Sequence, residues 1–140
     1  MPRLGFLGMP ITFQVRAPLS TEALAQLMDE AWDEPRADRW DAVLRRSLTW
    51  VTAHDGDKLI GFMNLAWDGG LHGFLLDTTV HPTVRRRGIG SELVRRALEE
   101  AQAAGLEWLH VDHEPELTTF YRRCGFHATD AGFIHLGTSN

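Results

Sequence analysis

Apolar and polar residues alternate through ITFQVRA at positions 11–17, and the β-branched start of that run predicts a half-buried strand closed by Pro18. The period then changes. Leu24, Leu27, Met28 and Ala31 recur at helical spacing behind the N-cap candidates Ser20 and Thr21, so a helix follows until Pro35 breaks it. A second helix is predicted from Asp38, with Trp40, Val43, Leu44 and Ser47 or Leu48 on one face. LTWVTAHD and LIGFMNLAW flank the turn residues DGDK and read as a hairpin; DGGLHG is a second turn and FLLDTTVH the third strand of the meander.

From Ile89 the helical period returns. Ile89, Leu93, Val94, Ala97, Leu98 and Ala101 form one apolar stripe, and Gly105 is placed to end the helix. LEWLHVDH (106–113) is predicted as a strand parallel to FLLDTTVH, because one long helix between two strands closes as a right-handed crossover. Pro115 suits the first turn of a short helix through Tyr121 to Arg123. CGFHATDAGFIHL predicts one or two closing strands around a DAG turn. The order is β-α-α-β-β-β-α-β-α-β(β), which defines an α+β (mixed α/β) fold with a mostly antiparallel sheet and one parallel junction. Residues 1–140 make a single domain, with 1–10 as an N-terminal extension.

Bulk properties narrow the class. No apolar run approaches the ~20 residues of a membrane span. The lone Cys124 forms no internal disulfide and fits a reducing cytoplasm. A net charge of −5 argues against nucleic acid as a partner. The charge is nonetheless segregated: acids dominate from Glu22 to Asp41, arginines from Arg85 to Arg96.

The densest positive charge sits at a strand-to-helix junction, TTVHPTVRRRGIGSELV (78–94). Backbone N–H groups at a helix start lack internal partners and face the positive end of the helix dipole. Gly88 and Gly90 let the chain curl into a nest that an anion can approach closely. Arg85, Arg86 and Arg87 supply guanidinium groups, which bind phosphate well. A diphosphate ester is the ligand that this combination suits. The dinucleotide fingerprint G-x-G-x-x-G is absent, and Lys58, the only lysine, lies far from any P-loop position.

The string V-H-P-x-x-R-x-R-G-I-G-x-x-L resembles the acyl-CoA signature of the GNAT superfamily of N-acetyltransferases, whose core is [QR]-x-x-G-x-[GA]. Further along, FYRRCGF (120–126) resembles that family's F-Y-x-x-x-G-F closing helix and strand. The resemblance implies acetyl-CoA as cosubstrate, with its diphosphate held by backbone N–H groups of Arg85, Arg86, Arg87, Gly88, Ile89, Gly90 and Ser91. It implies that Thr78, Thr79 and Val80 run beside pantetheine in a gap between two splayed parallel strands, for which Pro82 and Pro115 supply a physical handle. It further implies that the Val80 N–H is the oxyanion donor and that Tyr121 faces the thioester sulfur. Where many members carry an asparagine near the cofactor arm this chain has Glu114, and Leu117 replaces an alanine.

The general base stays open among Asp77, His81, His110, Asp112 and Glu114. Asp77 is an acid inside an otherwise apolar strand, where burial raises a carboxyl pKa into the useful range. Strict alternation puts Asp77, Thr79 and His81 on one face, and Phe74, Leu76, Thr78 and Val80 on the other. The His110, Asp112, His113, Glu114 cluster lacks the spacing of a metal site, so no metal is expected. The expected activity is acetyl transfer to a small cationic amine by direct attack on the thioester. A non-catalytic acyl-CoA sensor and a peptide or protein acetyltransferase are the alternatives, and a homodimer is a possible assembly.

Overall fold

A computed structural model describes residues 10–32 and 39–137. Five strands form one sheet in chain order: β1 (Ile11–Val15), β2 (Thr49–Asp55), β3 (Lys58–Trp67), β4 (His72–Val80) and β5 (Trp108–Val111). Neighbouring strands pair antiparallel except β4 and β5, which pair parallel. The predicted sheet is therefore the observed one, apart from its closing strands. Residues 127–137 contain no strand, and Phe133, Ile134 and Leu136 are 79–86% exposed. Their apolar pattern predicts a strand, but no neighbour in the described residues covers it.

The helices follow the stripes. In α1 (Thr21–Ala31) the Ser20 hydroxyl caps the first turn by accepting from the Ala23 N–H at 3.1 Å. Helix α2 spans Trp40–Arg46; the expected break at Pro35 and start at Asp38 lie outside the described residues. Together α1 and α2 cover one face of the sheet, where Leu24, Leu27, Met28 and Trp40 bury Leu59 and Phe62. Helix α3 (Ile89–Ala103) covers the other face, with Leu93, Val94 and Ala97 against Val51, Ile60, Met63 and Leu75. It lies close to the strands because residue 61 is glycine. A Cβ there would stand 3.0 Å from Ala53 Cβ and 3.3 Å from Leu93 Cδ1. Helix α4 (Thr118–Arg123) follows β5, and its one fully buried residue is Tyr121.

Candidate active site

The sheet opens at the end of β4. Pairing with β5 stops at Leu75 opposite Val111, while β4 continues through Val80. A bulge lies in the same place: Asn64 pairs with Leu76 and Phe62 with Thr79, so three steps on β4 match two on β3. Asp77 takes up the extra residue at φ 60°. Such a bulge reverses the side-chain alternation beyond it. Leu75 faces the α3 core, yet Thr79, four residues on, faces α1. Thr79 and His81 do share a face as expected. Thr78 and Val80 do not share the face of Phe74 and Leu76; they turn to the α3–α4 side, because the bulge shifts the period by one.

The ladder also fixes a donor. The His81 N–H bonds to Ile60 O at 2.8 Å across β3. Antiparallel alternation then turns the N–H of Val80 away from β3, toward the side where β5 has ended.

Beyond β4 a short 3-10 turn, Pro82–Val84, leads into the arginines. Arg86 and Gly88 both have left-handed backbones, φ 65° and 76°, with Arg87 between them. Alternation of this kind points successive N–H groups into one concavity. Among the described residues no side chain caps α3, and its first amides face the turn with no intrahelical partner. A Cβ at Gly90 would meet Phe120 Cζ at 3.3 Å, narrowing the same recess. A cavity of about 650 Å³ runs from Arg86, Gly88, Ile89, Gly90 and Ser91 past Thr78, Thr79 and Val80 to Tyr121 and Trp32. Arg85 lines it too, but its guanidinium is tied back to Val80 O at 3.3 Å and Ala31 O at 3.4 Å. Arg87 is not among the lining residues.

Tyr121 is 4% exposed and stands between two cavities. Burial raises its phenol above the ordinary value, opposed by a hydrogen bond with the Thr78 side chain. The ring is boxed by Phe120 and Phe126 edge-on and by the stacked His113 ring, whose centroid is 4.8 Å away. The second cavity, about 550 Å³, is lined by His110, Asp112, His113 and Tyr121 at the open end of the gap.

The candidate bases separate on this geometry. His81 is 7% exposed and both its ring nitrogens are engaged: Nε2 lies 2.5 Å from Glu30, and Nδ1 accepts from the Thr83 N–H at 3.2 Å. Hydrogen bonds from Gln26 and then His81 hold the Glu30 carboxyl below its usual range. That arrangement makes His81 a tie between elements, with no lone pair to offer. Asp77 is half-buried at the bulge and lines neither cavity, contrary to the expectation of a buried base in an unbroken strand. Glu114 is exposed and also lines neither; its place in the sequence matches the asparagine, but Pro115 turns the chain there into a 3-10 helix. His110 stacks between His72 and Phe74, with its Nε2 2.9 Å from His72 Nδ1. His113 was not among the expected bases. Its Nδ1 donates to Glu114 O at 2.7 Å, a bond that puts the lone pair of the neutral ring on Nε2. Its signal in the sequence was only proximity to the strand end; the stacking on Tyr121 depends on how α4 folds back. Among the described residues no three His, Cys, Asp or Glu are grouped to hold a metal ion.

A parted parallel pair, an amide turned into the gap and a helix start that faces the same cavity as a buried tyrosine lie together at this end of the sheet. The chain belongs to the acetyltransferase (GNAT) family, which it matches over residues 19–126. It is 32% identical over 122 residues to glucosamine 6-phosphate N-acetyltransferase 1 of Oryza sativa subsp. japonica, covering 87% of this chain and 73% of that one. It is 33% identical over 105 residues to mycothiol acetyltransferase of Mycobacterium avium (strain 104), covering 75% of this chain. The chain spans 33% of the length of that relative. A GNAT-family acetyltransferase of Streptococcus pneumoniae TIGR4 superposes with a TM-score of 0.73 at 28% identity, covering 91% of this chain and 99% of that one. The cradle from Arg86 to Ser91 has the donor set and the room that the diphosphate of coenzyme A requires.

Proposed function

We propose that this protein is an acetyl-CoA-dependent N-acetyltransferase that acts on an amine of a small cationic molecule. The observation that carries the reading is one continuous cavity from the uncapped amides of α3, past the outward N–H of Val80, to the Tyr121 hydroxyl. Bound acetyl-CoA supplies an activated acetyl thioester. The amides from Arg86 to Ser91 and the Arg86 side chain hold its diphosphate, and Thr78, Thr79 and Val80 guide its arm through the gap. The Val80 N–H donates to the oxygen on which negative charge develops. Tyr121 donates a hydrogen bond to the departing sulfur. A phenol near pKa ~10 already exceeds a thiol at ~8.5, and burial widens that difference, so the hydrogen bond serves better than full proton transfer.

The amine enters from the second cavity, where His113 Nε2 accepts its proton beside Tyr121. An amino sugar is a natural class to test first, since one relative is named for glucosamine 6-phosphate. Asp112 on the wall of that cavity favours a cationic acceptor. A homodimer in a reducing, cytoplasmic setting completes the proposal, the latter on the strength of the free Cys124.

Calorimetry with coenzyme A and acetyl-CoA, followed by thiol release against a panel of amino sugars, polyamines and peptides, tests the reading. Binding together with amine-dependent thiol release is expected. Gly88→Val, which forces a β-branched residue to φ 76°, should abolish coenzyme A binding. Tight binding with no thiol release to any amine points to the sensor alternative, and full coenzyme A affinity in Gly88→Val contradicts the cradle.

A further inference from the structure

The cavity that reaches the diphosphate cradle is lined from both sides of the sheet. Val80, Phe120 and Tyr121 line it on the α3–α4 side; Thr79 and Trp32 line it on the α1 side. One cavity with both sets of walls passes through the gap between β4 and β5. A linear arm that starts at the amides of α3 and passes Val80 through the gap therefore meets the indole of Trp32 on the α1 side.

That indole is partly exposed, at 44%, yet it is held. Its Nε1–H donates to Thr79 Oγ1 at 3.1 Å, and its backbone N–H bonds to Met28 O at 3.0 Å. The residues just before it are anchored as well. Glu30 receives His81 Nε2 at 2.5 Å and lies 3.6 Å from Lys58 Nζ, while Ala31 O accepts from Arg85. The last turn of α1 is thus fastened to β3, to the end of β4 and to the cofactor turn. A wide, planar ring fixed at its polar atom and along its backbone is a stop, not a flap. Trp40, the other tryptophan near this helix, is 5% exposed and packs edge-on against Phe62 in the core. Of the two, only Trp32 meets the cavity.

We propose that Trp32 sets the acyl length that this site accepts: an acetyl group fits between Val80 and the indole, and longer chains run into the ring. Glu30 and His81 are positioning residues for that wall. The inference rests on the reading that the cavity takes an acyl-CoA thioester. A methylene that a hydrophobic pocket cannot accommodate is disfavoured by about tenfold or more, so the effect is large enough to measure by binding alone.

The experiment is calorimetric titration of wild type, Trp32→Ala and Trp32→Leu with free coenzyme A, acetyl-CoA, butyryl-CoA and hexanoyl-CoA. The readout is the ratio of hexanoyl-CoA to acetyl-CoA dissociation constants, which a uniform loss of affinity does not change. Wild type should give a ratio of about ten or more, Trp32→Ala a ratio near one, and Trp32→Leu a value between them. A wild type that binds both thioesters alike overturns the inference, as does a Trp32→Ala protein that keeps the wild-type ratio. If Trp32→Ala binds nothing, the same ratio in Trp32→Leu decides; loss of free coenzyme A by both variants means that Trp32 holds the cradle together and is no acyl stop. Failure of wild type to bind even free coenzyme A removes the functional reading itself, a result distinct from the others.

Discussion

Tyr121 and His113 show how much of the chemistry depends on single contacts. Each belongs to a different stretch of chain, yet their rings stack at 4.8 Å where the two cavities meet. Tyr121→Phe keeps the packing with Phe120 and Phe126 but removes the hydroxyl, and kcat should fall about a hundredfold while the melting temperature barely moves. His113→Gln should lower kcat by a similar factor and leave the acetyl-CoA dissociation constant near wild type, because His113 lines only the second cavity. Steady-state kinetics with the best amine from the thiol-release panel, beside calorimetry, checks both. Equal kcat in His113→Gln would return the role of base to Asp112 or to solvent. Tyr121 was legible because a motif surrounds it. His113 was not, because nothing local marks a histidine that becomes a neighbour of the tyrosine only when α4 packs under the strand end.

At the scale of elements, periodicity, turn residues and Pro115 located every strand of the sheet and all four helices among the described residues, although β3 is buried on both faces. Periodicity failed at the bulge. A register shift adds one residue to β4 with no change in composition, so a reading by strict alternation misassigns Thr78 and Val80 relative to Phe74 and Leu76. The same element scale governs how α3 holds its place above the gap. Glu92, in its first turn, receives Arg95 through two nitrogens at 2.6 and 2.9 Å and Arg96 at 2.9 Å; Arg95 also reaches Glu99. Hydrogen bonds from Arg95 and then Arg96 lower the Glu92 carboxyl from 4.5 to about 2. A folded-state value below the unfolded one means that this stabilisation is complete above about pH 4.5 and disappears as the pH falls through about 2. Arg95 is half exposed, so solvent screening keeps the effect modest. Glu92→Gln should cost roughly 0.5–1 kcal/mol near pH 6, and the gap between variant and wild type should close on acidification. Urea unfolding at both pH values measures it; a gap that persists at low pH assigns the cost to packing of the Glu92 stem instead.

For the molecule as a whole, the sheet has an open margin. Among the described residues β5 pairs with β4 alone, and Trp108 on it is 56% exposed. The segment after α4 carries Phe133, Ile134 and Leu136 with almost no cover, in a pattern suited to a strand. An uncovered apolar segment and an unpaired strand edge on one chain are complementary surfaces, and a second copy offers both at once. The homodimer proposed above would, on this argument, pair residues 132–136 of one chain with the β5 margin of another. That placement would also close the second cavity, whose wall already includes His127, Ala128 and Thr129. Sedimentation should show a dimer that dissociates when Phe133 and Ile134 are both changed to aspartate. Thiol release should fall in step with dissociation, with KM for the amine rising more than KM for acetyl-CoA, since the cradle lies at the far end of the gap. A monomeric wild type with full activity would mean that the closing segment folds back on its own chain.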